Sequence, residues 1–432
     1  MVENNVGIGD MAMYLPDLQI QLSDILQMRA AQDPSFERRL RRAIESTGQE
    51  AMRFTLPWED PVTMAAEAIA ALFHRAGNAP DDGASLAELV RYIATGTETS
   101  VDMSKPISAY AQGLLQRGGH RVPTSLSTFQ IQHACAGGTI ALTSIAALLQ
   151  AAATPDEKGV VVCTDVARYE TPSTAEVTQG AGAVAMLLEQ NPRLLTLELH
   201  TLGLFSSDVD DFFRPLGSIT ARVKGRYSVD CYNEALEAAF LDHCSRRGNT
   251  PEETLRDADM IIVHVPFHRM AVTGTMRLVE RQLNLDPAGA QAFLDERRFT
   301  EGIEATRTVG NTYSASAYMS LMWNLYNRYQ AVGDAIVGQR FLLASYGSGN
   351  TMTVVSGSVA PGAPAVIRGW NLPAQLAAYQ AATWEQYEQF IAQREYSLTS
   401  GEVADPNTVP EGRYFLSQVR EDGYRQYEYT GK

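Results

Sequence analysis

Cys135 lies where a polar segment meets a long apolar run, a position suited to a reactive thiol. The residues from Cys135 to Ala153 are small and apolar, which predicts a buried helix that begins at the cysteine. The unpaired N–H groups of a helix N-terminus lower the pKa of a nearby thiol and can bind a thioester oxyanion. Gly137 and Gly138 would let a ligand approach the backbone. Cys135 is therefore a candidate nucleophile, whereas the usual interpretation of a free cysteine is a small buried hydrophobe.

Glu98 follows the apolar run Leu89–Thr95, which predicts a short strand that ends in a loop. Burial at the end of such a strand would raise the pKa of the carboxyl group and suit it to general base catalysis. The commoner interpretation of a glutamate in a loop is an ordinary surface residue. The residues alone leave both open.

His264 lies near the end of another predicted strand, Met260–Val265. A histidine there is either a core residue with satisfied nitrogens or an acid/base group. His264 and His268 have the spacing of a metal-binding pair on a helix, but Pro266 between them argues against a helix, and we predict no metal site.

The elements that would position these residues occur twice along the chain. Glu98 and His264 end matching strands, whereas Cys135 and Asn311 open matching helices, although Asn311 could equally be a simple N-cap. Further strands are predicted at Val6–Tyr14, Gly159–Thr164, Gly180–Leu188, Phe341–Tyr346 and Thr351–Ser356, and further helices from Asp17 and over Val62–Phe73. The duplication predicts two similar α/β halves, residues 1–195 and 196–432, whose loops meet in one site. Periodicity alone also allows one irregular α/β domain.

Composition limits the class of protein further. The chain has 432 residues, 45% of them hydrophobic, and a formal net charge of −15, which disfavours nucleic acid and anionic membranes as partners. Four cysteines without metal-site spacing are typical of a reducing compartment. The N-terminus lacks a signal-peptide pattern and no apolar run would span a membrane, so we expect a cytoplasmic protein. A basic cluster is formed by Arg222, Lys224 and Arg226. It would either bind ligand phosphates or be an ordinary solvent-exposed face.

Eight short segments, at or near the candidate residues, follow one another along the chain. They are Thr97–Asp102, Ala134-Cys135, Thr164–Tyr169, Thr178–Val184, Asp210–Pro215, His264–Phe267, Val309–Tyr313 and Ser345–Gly349. Together they resemble the hydroxymethylglutaryl-CoA synthase family, most closely its bacterial members of the mevalonate pathway of isoprenoid biosynthesis. The resemblance implies the thiolase fold, with two similar halves packed in αβαβα layers, and a homodimer.

The same resemblance implies roles for individual residues. Cys135 is similar to the family's nucleophile, Glu98 to its general acid/base and His264 to the residue that helps bind and polarise acetoacetyl-CoA. The positions implied to bind substrate or support the pocket are Asn311, Asp165, Asp211, Tyr346, Gly347, Ser348, Lys224 and Arg269. In one departure, Ala136 stands where many members have Tyr. The implied acyltransferase reaction joins acetyl-CoA to acetoacetyl-CoA through acetyl-Cys135, giving HMG-CoA and free CoA without a metal or organic cofactor.

Three other functions are compatible with parts of this pattern. A polyketide β-branching synthase would act on substrates bound to acyl carrier protein, but Gln179–Gly182 resembles the mevalonate-pathway enzymes more. A ketoacyl synthase would use Cys, His and Asn and would lack the Glu98 motif. A non-catalytic acyl-CoA-binding scaffold would not need Cys135, Glu98 and His264 together.

Overall fold

A computed structural model of the protein describes residues 5–76, 85–392 and 400–431. Residues 1–4, which belong to the N-terminal stretch considered for a signal peptide, lie outside this range. Within the described residues, no helix is long and apolar enough to cross a bilayer. In the same residues, no group of three or more His, Cys, Asp or Glu side chains is placed to hold a metal ion.

In the part of the chain that the structure describes, the strands form one ten-stranded sheet and three small ones. They are β1 (Val6–Tyr14), β2 (Leu18–Gln21), β3 (Ala51–Phe54), β4 (Val90–Gly96), β5 (Ser127–Ile131), β6 (Lys158–Ala167), β7 (Gly180–Gln190), β8 (Leu195–Leu197), β9 (Gly203–Ser206), β10 (Phe212–Phe213), β11 (Arg222–Val223), β12 (Met260–Val263), β13 (Arg340–Gly347), β14 (Thr351–Val359), β15 (Gln380–Ala381), β16 (Gly401–Glu402), β17 (Tyr414–Val419) and β18 (Arg425–Tyr429).

The α-helices connect and cover these strands. They are α1 (Leu22–Gln32), α2 (Pro34–Thr47), α3 (Pro61–Ala76), α4 (Ile107–Arg117), α5 (Gly137–Gln150), α6 (Gly225–Arg247), α7 (Pro251–Asp257), α8 (His268–Leu283), α9 (Pro287–Glu296), α10 (Phe299–Ile303), α11 (Thr306–Val309), α12 (Ser316–Val332), α13 (Ala363–Arg368), α14 (Leu372–Ala377) and α15 (Trp384–Ala392).

The large sheet repeats one pairing pattern on either side of the β1–β8 contact. Its order is β12-β13-β14-β8-β1-β7-β6-β4-β5, and β9 pairs with β14. From β1, two antiparallel pairings lead through β7 to β6, which pairs parallel to β4. From β8, two antiparallel pairings lead through β14 to β13, which pairs parallel to β12. The strands before Glu98 and His264 therefore occupy equivalent places. A boundary between residues 195 and 196 would fall within β8 and stays a prediction.

Alternate residues of the strands face different helices, which produces five layers. In β6, Val162 packs in an apolar cluster with α3 and α4, whereas Val161 faces α5 and α12. In β12, Ile262 faces α5 and α12, whereas Ile261 packs with α6 and α8. Helices α5 and α12 thus form a central layer between the two parts of the sheet, in the αβαβα order that was predicted.

Three predicted elements differ from the structure. The residues after Asp17 do not start a helix, because Leu18–Gln21 forms β2 and pairs antiparallel with β3. The helix predicted from Cys135 begins at Gly137, and the helix predicted from Asn311 begins at Ser316. In the last two cases a loop held by specific hydrogen bonds precedes the helix. The other predicted elements are confirmed to within about three residues at each end.

Candidate active site

One cavity of about 260 Å³ collects candidate residues from both halves of the chain. Cys135 reaches it from the loop immediately before α5, in the first half of the chain. His264 reaches it from the end of β12, Asn311 from the loop before α12, and Tyr346 from the end of β13. The predicted meeting of loops from both halves therefore takes place at this cavity.

The thiol of Cys135 and the carboxylate of Glu98 are in direct contact. Cys135 Sγ donates a hydrogen bond to Glu98 Oε1 at 3.1 Å. The Glu98 side chain is only 5% exposed, so the interpretation as a surface residue is wrong. The contact arises because β4, which leads to Glu98, packs beside α5, which follows Cys135.

Arg214 binds the other oxygen of the same carboxylate. Its Nη2 lies 3.1 Å from Glu98 Oε2, and its side chain is 10% exposed. Arg214 comes from the segment after β10, far along the chain, and it was not among the predicted site residues. Glu98 is thus held between a thiol on one oxygen and a guanidinium group on the other.

Asp165 holds the loop that carries Glu98 and does not line the cavity. Its Oδ1 accepts the backbone N–H of Glu98 at 2.9 Å and the hydroxyls of Thr97 and Thr99. Its Oδ2 accepts the N–H of Ser314 at 3.0 Å. This fully buried carboxylate therefore joins the loop after β4 to the loop before α12.

Burial and the nearby carboxylates raise the pKa of the Cys135 thiol. Burial, followed by the negative charges of Glu98 and Asp165, raises the pKa of Cys135. The prediction that a helix N-terminus lowers this pKa is therefore wrong. Burial also raises the pKa of Glu98 to about 7, against the opposing effect of Arg214. In the resting site the proton stays on sulfur, and Glu98 is the group placed to take it.

His264 is a neutral imidazole with one nitrogen already bonded. It is fully buried, and burial lowers its pKa to about 3. Its Nδ1 lies 2.6 Å from the Ser316 hydroxyl, which also accepts the N–H of Val265 at 3.2 Å. A hydroxyl that donates to Nδ1 leaves the proton on Nε2, the nitrogen available to the cavity. His264 is therefore suited to donate a hydrogen bond rather than to act as an imidazolium acid.

Asp211 and the turn after β13 support the opposite wall. Asp211 Oδ2 accepts the Tyr346 hydroxyl at 2.8 Å, and its Oδ1 accepts the N–H of Gly349. Tyr346 and Ser348 line the cavity. A Cβ atom on Gly347 would lie 2.3 Å from the carbonyl oxygen of His133, so only glycine lets this strand approach the nucleophile loop so closely.

The predicted basic residues lie outside the cavity lining. The side chain of Lys224 is 54% exposed and forms an ion pair with Asp210. Arg269 is exposed in the first turn of α8. Each adjoins a residue that does line the cavity, Val223 and Met270 respectively. Their contact with a ligand stays a prediction.

Comparison with known proteins identifies the family to which the chain belongs. The family model described as "Hydroxymethylglutaryl-coenzyme A synthase N terminal" matches residues 2–192. The corresponding C-terminal model matches residues 195–292 and 278–430. The chain belongs to the hydroxymethylglutaryl-CoA synthase family. It is therefore an acyl-transferring enzyme.

Individual members of the family match over most of their length. The Enterococcus faecalis hydroxymethylglutaryl-CoA synthase is 28% identical over 357 residues, which cover 83% of this chain and 84% of the relative. The human mitochondrial hydroxymethylglutaryl-CoA synthase is 26% identical over an alignment of 474 positions, gaps included, which covers 98% of this chain and 89% of the relative.

Solved structures in the family have the same fold. The structure of MvaS in complex with 3-hydroxy-3-methylglutaryl coenzyme A superposes with a TM-score of 0.83 at 31% identity, covering 99% of both chains. The HMG synthase of the curacin biosynthetic pathway superposes with a TM-score of 0.83 at 25% identity, covering 98% of this chain and 100% of that one. These matches confirm the thiolase-like fold.

Replacing Arg214 should change how the rate of condensation depends on pH. With Glu98 as the base of a condensation, the rate should rise with pH through about 7, the pKa of Glu98, and then level off. Arg214→Met removes the cation that lowers the pKa of Glu98, so the rising limb should move to higher pH by on the order of one pH unit. Arg214→Lys keeps the charge and is the matched control. Single-turnover condensation rates from pH 5.5 to 9.5 measure the limb, and an unmoved limb in Arg214→Met would contradict the pairing.

Proposed function

We propose that the protein condenses acetyl-CoA with acetoacetyl-CoA to give HMG-CoA and free CoA through an acetyl-Cys135 intermediate. The observation that carries the proposal is the contact of Cys135 Sγ with Glu98 Oε1 at 3.1 Å beside a cavity that His264 also lines. A thiol nucleophile, a carboxylate base and a hydrogen-bond donor are the groups that such a condensation requires.

Acetylation of the enzyme is the first step. The Cys135 thiol attacks the thioester carbon of acetyl-CoA while its proton passes to Glu98 Oε1. The sulfur of CoA leaves as a thiolate and takes up a proton. The thiol pKa is raised in the resting site, so transfer of the proton along this hydrogen bond lets the attack proceed without a free thiolate.

Condensation then uses the same carboxylate a second time. With its proton released, Glu98 removes a proton from the methyl group of acetyl-Cys135, and the enolate carbon attacks the C3 ketone of acetoacetyl-CoA. Neutral His264 donates a hydrogen bond from Nε2 to the ketone oxygen as it becomes an alkoxide, and the alkoxide then takes up the proton that Glu98 removed and becomes the 3-hydroxyl group. Water hydrolyses the bond between the product and Cys135. Every step uses side chains of this chain, so the proposal requires no metal or organic cofactor.

The acceptor substrate distinguishes a mevalonate-pathway enzyme from a polyketide β-branching synthase. We propose acetoacetyl-CoA and the mevalonate pathway, on the strength of the Gln179–Gly182 stretch and the MvaS relative. The purified protein, supplied with acetyl-CoA, should use acetoacetyl-CoA faster than acetoacetyl-carrier protein by at least on the order of tenfold. A reversed preference in this side-by-side assay would support a polyketide β-branching synthase, similar to the curacin enzyme.

We further propose a cytoplasmic homodimer. The absence of metal-site or paired cysteines in the sequence supports a reducing compartment. Strand β5 ends the large sheet, and its residues are half-buried or exposed, so its open edge supports pairing with a second copy.

A further inference from the structure

The hydroxyl of Tyr313 is buried beside the catalytic thiol and makes no hydrogen bond of normal distance and angle, although the Tyr169 hydroxyl lies close to it. Tyr313 is 1% exposed and lines the same cavity as Cys135 and His264. Among the described residues, several buried side-chain polar atoms lack a well-formed hydrogen bond, and Tyr313 Oη is the one of these that belongs to the cavity lining. A buried hydroxyl without a well-formed hydrogen bond is destabilising, so a phenylalanine would fill this position more favourably unless the hydroxyl has a use.

The backbone of Tyr313 is held in a conformation that tyrosine rarely adopts. Its φ is +46°, in the left-handed region. The Asn311 side chain accepts the N–H of Tyr313 at 2.8 Å, and the next residue, Ser314, donates its own N–H to Asp165. Two buried polar groups thus fix the loop on either side of Tyr313. Strain that the surroundings enforce in this way is characteristic of functional sites.

The ring of Tyr313 forms a wall where an acetyl group on Cys135 would lie. Cys135, Tyr169, Phe212 and Tyr313 belong to one small apolar cluster. The Tyr313 ring meets those of Phe212 and Tyr169 edge to face, with centroid distances of 5.9 and 6.5 Å. Aromatic walls suit the methyl group of a bound acetyl. The single polar atom that the acetyl group brings to the thiol is its carbonyl oxygen, a hydrogen-bond acceptor.

We propose that Tyr313 is a further catalytic residue, whose hydroxyl donates a hydrogen bond to the thioester oxygen of acetyl-Cys135 and to the enolate that forms from it. The inference rests on the proposed function, because it requires an acyl group on Cys135. It gives the hydroxyl a well-formed hydrogen bond in the acetylated state. It also assigns a purpose to the hydrogen bond that the Tyr313 N–H donates to Asn311, which positions Tyr313.

The hydroxyl is suited to be a donor and not an acid. Burial, with the neighbouring Tyr169 and the negative charge of Glu98, raises the pKa of Tyr313, so it keeps its proton throughout. A fixed donor at a developing oxyanion stabilises the negative charge without reorganisation, and removal of one such donor typically slows the reaction by about 10²–10³-fold.

The test is Tyr313→Phe, which removes the hydroxyl and keeps the wall. We expect acetylation by acetyl-CoA and methyl-proton exchange of acetyl-Cys135 each to slow by about 10²-fold, with an unchanged KM for acetoacetyl-CoA. We also expect an unchanged or higher melting temperature, because the lost hydroxyl has no well-formed hydrogen bond in the free enzyme. The matched control is Tyr427→Phe, remote from the cavity, whose hydroxyl donates to Asp60 at 2.7 Å. It should melt at lower temperature and react at the wild-type rate.

Wild-type rates of acetylation and methyl exchange in Tyr313→Phe would overturn the inference, since a ring that merely packs would give that result. A raised KM for acetoacetyl-CoA with normal acetylation would also overturn it, because the hydroxyl would then face the acceptor. A wild-type enzyme that acetylates but makes no HMG-CoA would instead count against the proposed function alone.

Infrared spectroscopy provides a readout that does not depend on the variant folding. In wild-type enzyme acetylated with [1-¹³C]acetyl-CoA, the thioester carbonyl band should lie below that of a free thioester, because hydrogen bonding weakens the C=O bond. The band should move back towards the free value in Tyr313→Phe. A free-thioester band in the wild type would overturn the inference without any substitution.

Discussion

Glu98→Ala should still form acetyl-Cys135 while condensation falls by about 10²–10⁴-fold. Condensation requires a proton from a weakly acidic methyl group, and Glu98 is the carboxylate in contact with Cys135. Burial and the negative charge of Glu98 both raise the thiol pKa; acetylation survives because the same substitution removes the second of these causes, which offsets the loss of the base. The variant should also fail to exchange the acetyl methyl protons with deuterated water.

Two further variants sharpen this experiment. Glu98→Gln keeps a side chain of the same shape between Cys135 and Arg214 but cannot accept the methyl proton, so it should behave like the alanine variant. Glu67→Gln alters another buried glutamate whose pKa burial raises to about 7, on α3 and remote from the cavity, and it should condense normally. Quenched-flow measurement of labelled acetyl-enzyme and product separates the two steps. Near-wild-type condensation by Glu98→Ala would exclude Glu98 as the base.

Cys135→Ala should lose acetylation and condensation together, by roughly 10⁴-fold or more, because no other group can carry the acyl intermediate. The matched control is Cys163→Ala. Cys163 is also fully buried and raised in pKa by burial, but it lies within β6 and does not line the cavity. The Cys163→Ala variant should therefore bind substrate and turn over at the wild-type rate.

Intact-mass analysis after incubation with acetyl-CoA alone checks the intermediate. One acetyl group should appear on the wild type and on Cys163→Ala and none on Cys135→Ala, and peptide mapping should place it at Cys135. An acetyl group on Cys163, Cys231 or Cys244 would refute the assignment. His264→Ala should acetylate normally and mainly weaken the use of acetoacetyl-CoA, which distinguishes its role from that of the nucleophile.

The amino-acid sequence by itself determined the alternation of strands and helices and the duplicated order in which they occur. These features follow from local periodicity, which the structure confirms for β1, β6, β7 and β13 among others. The resemblance of the ordered motifs determined the family and the expected nucleophile, base and histidine. Residue type and short-range spacing were sufficient for these predictions, because each motif includes the strand end or turn on which its functional residue lies.

Only the tertiary structure decided the electrostatics of the site. From the sequence, Cys135 has a helix start beside it and a lowered pKa. In the structure, burial raises that pKa instead, and Glu98 and Asp165, which arrive from the ends of β4 and β6, raise it further. The sign of a pKa shift depends on charges that are close in space, and a linear sequence does not report those distances.

The same reason explains which site residues sequence analysis missed. Arg214 stands in a motif that was recognised, yet its partner Glu98 lies 116 residues away along the chain. The contact of Ser316 with His264 and the unsatisfied hydroxyl of Tyr313 likewise exist only once β12, α12 and the nucleophile loop are packed together. Sequence determined which side chains could react, whereas packing decided which of them touch, which proton each one holds and which hydroxyl is left for the substrate.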